Sequence, residues 1–226
     1  MRQFLFSNMT LSDLRSLVEI EERSVGNHVW GQAEAVLLTH DEQRQVQDVR
    51  SRLMNYRTQL MNEATVWARA IYPLLVLAEQ DYVQAWAEVS LRGRYVTFEV
   101  SGIADGVLGK GLSGEIEAPY LVVVEAKRGI EAQNPQYQLY AQVLAAARMN
   151  WELDRSDPQI VFGCYTVADV WTFVRAEVAN MESDRPLLRL EPSREYSEKL
   201  EAEIILKILK QIVTQRLADL STAASF

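Results

Sequence analysis

An acid and a base stand two residues apart where a buried strand should end. The run Pro119-Tyr120-Leu121-Val122-Val123-Val124-Glu125-Ala126-Lys127-Arg128-Gly129 opens with a continuous apolar stretch rich in β-branched residues, the pattern of a strand buried on both faces. Gly129 supplies the turn chemistry that ends it. Side chains alternate along a strand, so Glu125 and Lys127 point to the same side, at the mouth of the sheet. Ionisable groups there are costly unless something compensates them. Upstream, Gly102-Ile103-Ala104-Asp105 falls near the end of a second strand-like run, Tyr95 to Val107. A hairpin between the two runs sets Asp105 beside Glu125. Paired carboxylates raise each other's pKa unless a cation lies between them. Mg²⁺ fits such a site, because it takes one or two carboxylates and completes its shell with water and phosphate oxygens. Lys127 then supplies a point charge for a phosphate or for the attacking water. The chemistry is metal-assisted phosphodiester hydrolysis. Simpler readings stand beside it: Glu125 and Lys127 as an ion pair at a strand end, and Asp105-Gly106 as a turn.

The chain bounds this chemistry. Its 226 residues, 48% hydrophobic and 24% charged, suit one soluble globular domain with a substantial core. The longest apolar stretch, Ala70 to Ala78, is too short to span a bilayer and contains Pro73. No signal peptide is evident, which makes the cytoplasm the default location and a membrane an unexpected partner. The lone cysteine, Cys164, excludes an internal disulfide and reads as a small buried residue. A net charge of −8 argues against generic charge-driven binding of nucleic acid. Local basic patches remain compatible with it, from Arg44, Arg50, Arg52 and Arg57 on one helix and from Arg92, Arg94 and Lys110 near strand ends. His28 and His40 read as surface residues.

The elements that must position the acids follow in order. Thr10-Leu11-Ser12-Asp13 has capping-box spacing and predicts a short helix to about Arg23, ended by Gly26-Asn27. Thr39 or Asp41 caps a longer helix whose apolar positions Val46, Val49, Leu53, Tyr56, Leu60, Ala64 and Trp67 recur at three and four, until Pro73 kinks or ends it. From Val83 to Leu91 the period is two; Arg92-Gly93 turns the chain into the Tyr95 strand, and Gly109, Gly111 and Gly114 fall in a flexible connection. Asn134-Pro135 opens a helix over Gln136 to Met149. Pro158–Thr166 and Val170–Val178 form a hairpin, and Ser193 starts a final amphipathic helix carrying Tyr196, Leu200, Ile204, Ile208 and Ile212. The result is an α/β chain whose sheet is covered by helices.

This αβββαβ order, with Gly102-x-x-Asp105 and then Glu125-Ala126-Lys127, resembles the PD-(D/E)XK, or restriction-endonuclease-like, nuclease superfamily. Gln136-Tyr137-Gln138-Leu139-Tyr140 contains the Gln-x-x-x-Tyr motif of its RecB-like branch, and residues four apart share a helix face. The resemblance covers roughly residues 41–178, with Ala104 where the family name has proline. It implies a central mixed sheet flanked by helices in a nuclease-like core over 41–190; a helical extension over 1–40 and a C-terminal helix over 193–218 lie outside the resemblance, in one domain spanning 1–226. It implies a Mg²⁺-dependent nuclease, with Mn²⁺ as substitute and DNA as the expected substrate. Asp105 and Glu125 would hold the metal with Glu63, chosen over Glu79; Lys127 would serve the nucleophilic water, and Gln136 and Tyr140 would orient Lys127 or the substrate backbone. A catalytically inactive binding or assembly module of the same fold is the rival expectation. So is a nuclease subunit that needs a partner, or a homodimer.

Overall fold

A computed structural model describes residues 1–25, 28–112, 114–127 and 135–223. In chain order the elements are β1 (Arg2–Leu5), α1 (Leu11–Leu17), β2 (Glu19–Glu22), α2 (His28–Gly31), α3 (His40–Met54), α4 (Glu63–Val66), α5 (Tyr72–Leu77), β3 (Val83–Arg94), β4 (Phe98–Leu112), β5 (Glu115–Lys127), α6 (Pro135–Asp154), β6 (Gln159–Val167), β7 (Val170–Ala179), β8 (Leu187–Ser197) and α7 (Glu198–Ala223). Among the described residues eight strands join one mixed sheet, β1-β4-β5-β6-β7-β8-β2, with β3 on the other edge of β4. β3, β4 and β5 form an antiparallel meander; β5 then pairs parallel with β6 through the α6 crossover, and β6, β7 and β8 are antiparallel.

The sheet curls around α6. The turn before β4 meets the β7–β8 connection, where Thr97 Oγ1 donates to the Asp184 carbonyl at 2.9 Å. β1 and β2, joined through α1, lie at opposite ends of the strand order. Leu139, Tyr140 and all residues from Ala141 to Ala147 are buried. That all-round burial explains why α6 is apolar on every side rather than striped. Gly93 permits the close packing of β3 on this helix: a Cβ there would lie 2.7 Å from the Ala145 Cα. The concave core includes Phe6, Leu14 and Leu17 from the N-terminal segment. The convex core lies under α3, α5 and α7, with Leu53, Leu74, Leu75, Ile205 and Leu209.

Several expectations are corrected. The N-terminal forty residues hold strands as well as helix, since β1 and β2 pair parallel with β4 and β8. α1 does carry the Thr10–Asp13 capping box but stops at Leu17. The long helix breaks after Met54: Asn55 closes α3, Thr58–Leu60 is a 3-10 turn and Asn62 caps a new helix through Thr65 N–H. Pro73 does not end that helix. It follows a π-helical turn over Trp67–Ile71, and such a turn can absorb the clash and the missing N–H that proline brings. Gly93 is inside β3, and Gly109 and Gly111 are inside β4 rather than in a flexible connection. Residues 193–197 finish β8, so the last helix begins at Glu198. Its buried face is Ala202, Ile205, Leu206, Ile208, Leu209, Ile212 and Val213, which keeps Ile208 and Ile212 as expected, while Leu200 is exposed. The expected ends at Gly26-Asn27 and Gly129, the Asn134 cap and the side chain of His28 lie outside the described residues; His40 is exposed. Among the described residues no helix is long and apolar enough to cross a membrane.

Candidate functional site

One edge of β4 is shared by two strands. β3 runs along its other edge, while β1 pairs with Phe98 to Ser101 and β5 with Gly106 to Leu112. The residues between these two pairings, 102–105, are left without a strand on that side, and Asp105 stands at the end of the gap. Beyond the last β4–β5 pair, Gly106 with Val124, Asp105 Oδ2 accepts from the Ala126 amide at 2.7 Å. β5 continues as a partner of β6 up to Lys127. The acids therefore sit at the carboxyl end of a parallel strand, next to the point where its antiparallel neighbour departs. Crevices at such ends are where open α/β sheets bind ligands.

Glu63 arrives from the convex side. Asn62 caps α4, which puts Glu63 in its first turn, 3.8 Å from Lys127 Nζ. Lys127 Nζ is 2.6 Å from Glu125 Oε1, and Gln142 Nε2, from α6, donates to Glu125 Oε2 at 2.5 Å. Glu125 is fully buried. A cleft of about 220 Å³ opens beside this group, lined by Glu63, Ala64, Trp67, Ala87, Glu88, Asp105 and Ala126. Trp67, on the π-helical turn, rests against Gly106, where any Cβ would collide with the indole.

Charge and burial oppose each other here. Burial, reinforced by Asp105, pushes Glu125 up to about 7 even though Lys127 and Gln142 pull it down. Burial also raises Asp105, with Glu63 and Glu88 adding to the rise against the Ala126 amide and Lys127. Lys127 moves upward: burial alone would lower it, but Glu125, Glu63 and Asp105 outweigh that and keep it cationic. Among the described residues the site holds more negative charge than its lysine neutralises, in a setting that solvates charge poorly.

Among the described residues no group of three or more Asp, Glu, His or Cys side chains converges on one point as a ready metal cage. Both Glu125 oxygens are engaged, by Lys127 and Gln142, and one Asp105 oxygen is held by Ala126. The donor chemistry nevertheless suits a hard divalent cation, since every acid at the cleft offers oxygen. An added positive charge would relieve the repulsion that raises Glu125 and Asp105.

Gln136 and Tyr140 are brought together but elsewhere. Gln136 Nε2 donates to the Tyr140 hydroxyl at 2.6 Å, and both line a second cleft with Leu11, Arg15, Ile20, Glu22 and Tyr137. Tyr140 is pushed up by burial against the pull of Gln136. Glu79, the acid passed over for Glu63, accepts from the Ala85 amide at 2.8 Å. Of the basic residues singled out, Arg44, Arg92 and Lys110 each face a carboxylate, Asp41, Glu99 and Glu117. Arg50 donates to the Lys199 carbonyl.

Two residues at the site escape a reading of the sequence. Glu88 sits opposite Asp105, between the pairs Ala87–Gly106 and Val89–Ala104, with a left-handed φ of 54°. In sequence it is one more polar position of an alternating strand, and nothing marks it. Gln142 did leave a signal, as the only amide in the apolar run from Leu139 to Ala147. Neither the known protein-family models nor the curated proteins match this chain.

Proposed function

We propose that this chain is a metal-dependent nuclease with a restriction-endonuclease-like core, hydrolysing phosphodiester bonds, most naturally in DNA. The observation that carries this reading is the buried Glu125–Lys127 pair beside Asp105 and Glu63 at the carboxyl end of β5. The order of one helical segment, three antiparallel strands, a crossover helix and a parallel strand supports the same reading.

Asp105, Glu125 and Glu63 would hold Mg²⁺ or Mn²⁺. When bound, the ion lowers the pKa of a coordinated water and offsets charge on the phosphate. Lys127, kept cationic by its acids, orients the attacking water and stabilises the negative charge that develops on the phosphoryl oxygens. Trp67 and Ala64 supply an apolar wall to the cleft, against which water is excluded as substrate enters. Gln136 and Tyr140, in their separate cleft, contact substrate backbone away from the scissile bond. With a net charge of −8, such contacts are local rather than a broad basic field.

The test is cleavage of supercoiled, linear and single-stranded DNA with Mg²⁺ or Mn²⁺, comparing the wild type with Lys127→Ala. Metal-dependent cleavage lost in the variant supports the reading. No cleavage and no metal binding by the wild type would leave the fold as a binding or assembly module.

A further inference from the structure

We propose that Gln142 is the positioning residue of Glu125, a role that rests on the hydrolytic reading of this site. α6 buries two side-chain amides, and they are used differently. Asn150 is satisfied on both sides by one backbone residue: its Nδ2 donates to the Tyr120 carbonyl at 2.9 Å and its Oδ1 accepts from the Tyr120 amide at 2.7 Å. That pair of bonds ties the helix to β5 and needs no further explanation.

Gln142 is also wholly buried, but its Nε2 bonds to Glu125 and its Oε1 has no hydrogen-bond partner among the described residues. A half-satisfied buried amide costs stability. Methionine or leucine would fill a similar volume without leaving that carbonyl unpaired. The amide is therefore poorly explained by packing and well explained by what it touches. It holds Glu125 Oε2 while Lys127 holds Oε1. The two contacts fix the plane of the carboxylate, which neither could do alone, since a carboxylate pivots easily about its terminal torsion. With Gln142 gone, Glu125 is free to rotate fully onto Lys127. The acid would then be less available to a cation, and the lysine less available to water. Partners of this kind, one step behind a ligand, are worth about tenfold to a hundredfold in metal affinity or activity.

The experiment compares the wild type, Gln142→Met and Asn150→Leu for thermal stability and for steady-state cleavage of DNA across a Mg²⁺ titration. For Gln142→Met we expect an unchanged or raised melting temperature and a kcat lower by about tenfold or more. The Mg²⁺ midpoint should move to higher concentration and the KM for DNA should stay the same, because the residue is buried away from substrate. Asn150→Leu should show the converse, a lower melting temperature with kcat little changed in the folded fraction. Gln142→Leu repeats the test with different packing should the methionine variant fold poorly. An active wild type with Gln142 variants of equal kcat and equal Mg²⁺ midpoint overturns the positioning role while the nuclease reading stands. A wild type that cleaves nothing and binds no metal overturns the nuclease reading, and this role with it.

Discussion

Among the described residues two glutamates are completely buried, and they do opposite things. Glu198, at the start of α7, accepts from the Trp171 indole at 2.8 Å, and its own backbone amide is held by the Asp169 carbonyl at 2.8 Å. Burial pushes it up to about 8, with the indole bond opposing and Asp169 adding to the rise. Glu125 is pushed up to about 7 by the same desolvation. Burial and a raised pKa thus fail to tell them apart. The neighbours do. Glu198 has a neutral indole as its side-chain partner and closes a core; Glu125 faces a lysine and an amide and stands behind a cleft lined by Asp105 and Glu63. Glu198 ties helix to sheet. A buried acid marks a site only where other charges converge on it and a ligand can reach them.

The sharpest way to break this contrast is to neutralise each acid in turn. Glu125→Gln should cut metal-dependent hydrolysis on the order of a thousandfold, comparable to losing a principal electrostatic contact. Glu198→Gln keeps an acceptor for Trp171 and should leave the rate within about threefold. Equal losses from the two substitutions, measured as kcat/KM on the same DNA, would erase the distinction.

A smaller effect separates the two acids by pH. Each has a folded pKa above its ordinary value of 4.5, so the folded state holds a proton that the unfolded chain releases. Their stabilising contribution is full below about 4.5 and is lost as pH rises toward about 7 for Glu125 and about 8 for Glu198. Urea unfolding of the metal-free protein should therefore show stability falling across this window, by at most about 1.4 kcal/mol per pH unit for each group. Glu198→Gln should flatten the decline between pH 7 and 8, where Glu125→Gln has little left to remove. A flat wild-type profile would contradict both assignments.

What the sequence revealed follows the strength of its local signals. β5 was legible because Leu121 to Val124 is apolar on both faces, and the two charges that end it stand out against that run. Glu63 is reached only through the family resemblance, because the apolar spacing continuing through Leu60 suggests one unbroken helix and hides the Asn62 cap. Leu60 is in fact 64% exposed, so that spacing was coincidence past Leu53. β1 and β2 were invisible for the opposite reason. Four residues such as Glu19-Ile20-Glu21-Glu22 bury almost nothing and are strand only because β8 offers an edge. The start of the last helix is disguised because Tyr196, Leu200 and Ile204 are spaced at four across the end of β8. Glu201, with φ −128°, breaks the helical phase there. The place of Gln136 and Tyr140 in a second cleft depends on how α6 threads the curled sheet, which no local pattern encodes.

The contrast between the two acids comes down to whether Glu125, and not Glu198, belongs to a cation site. Calorimetric titration of Mn²⁺ into the wild type, Glu125→Gln and Glu198→Gln at pH 7.5 tests it without any substrate. Saturable binding is expected for the wild type and for Glu198→Gln, with binding lost or weakened about a hundredfold in Glu125→Gln. A wild type that takes up no Mn²⁺, or a Glu125→Gln variant that binds it as the wild type does, would contradict it.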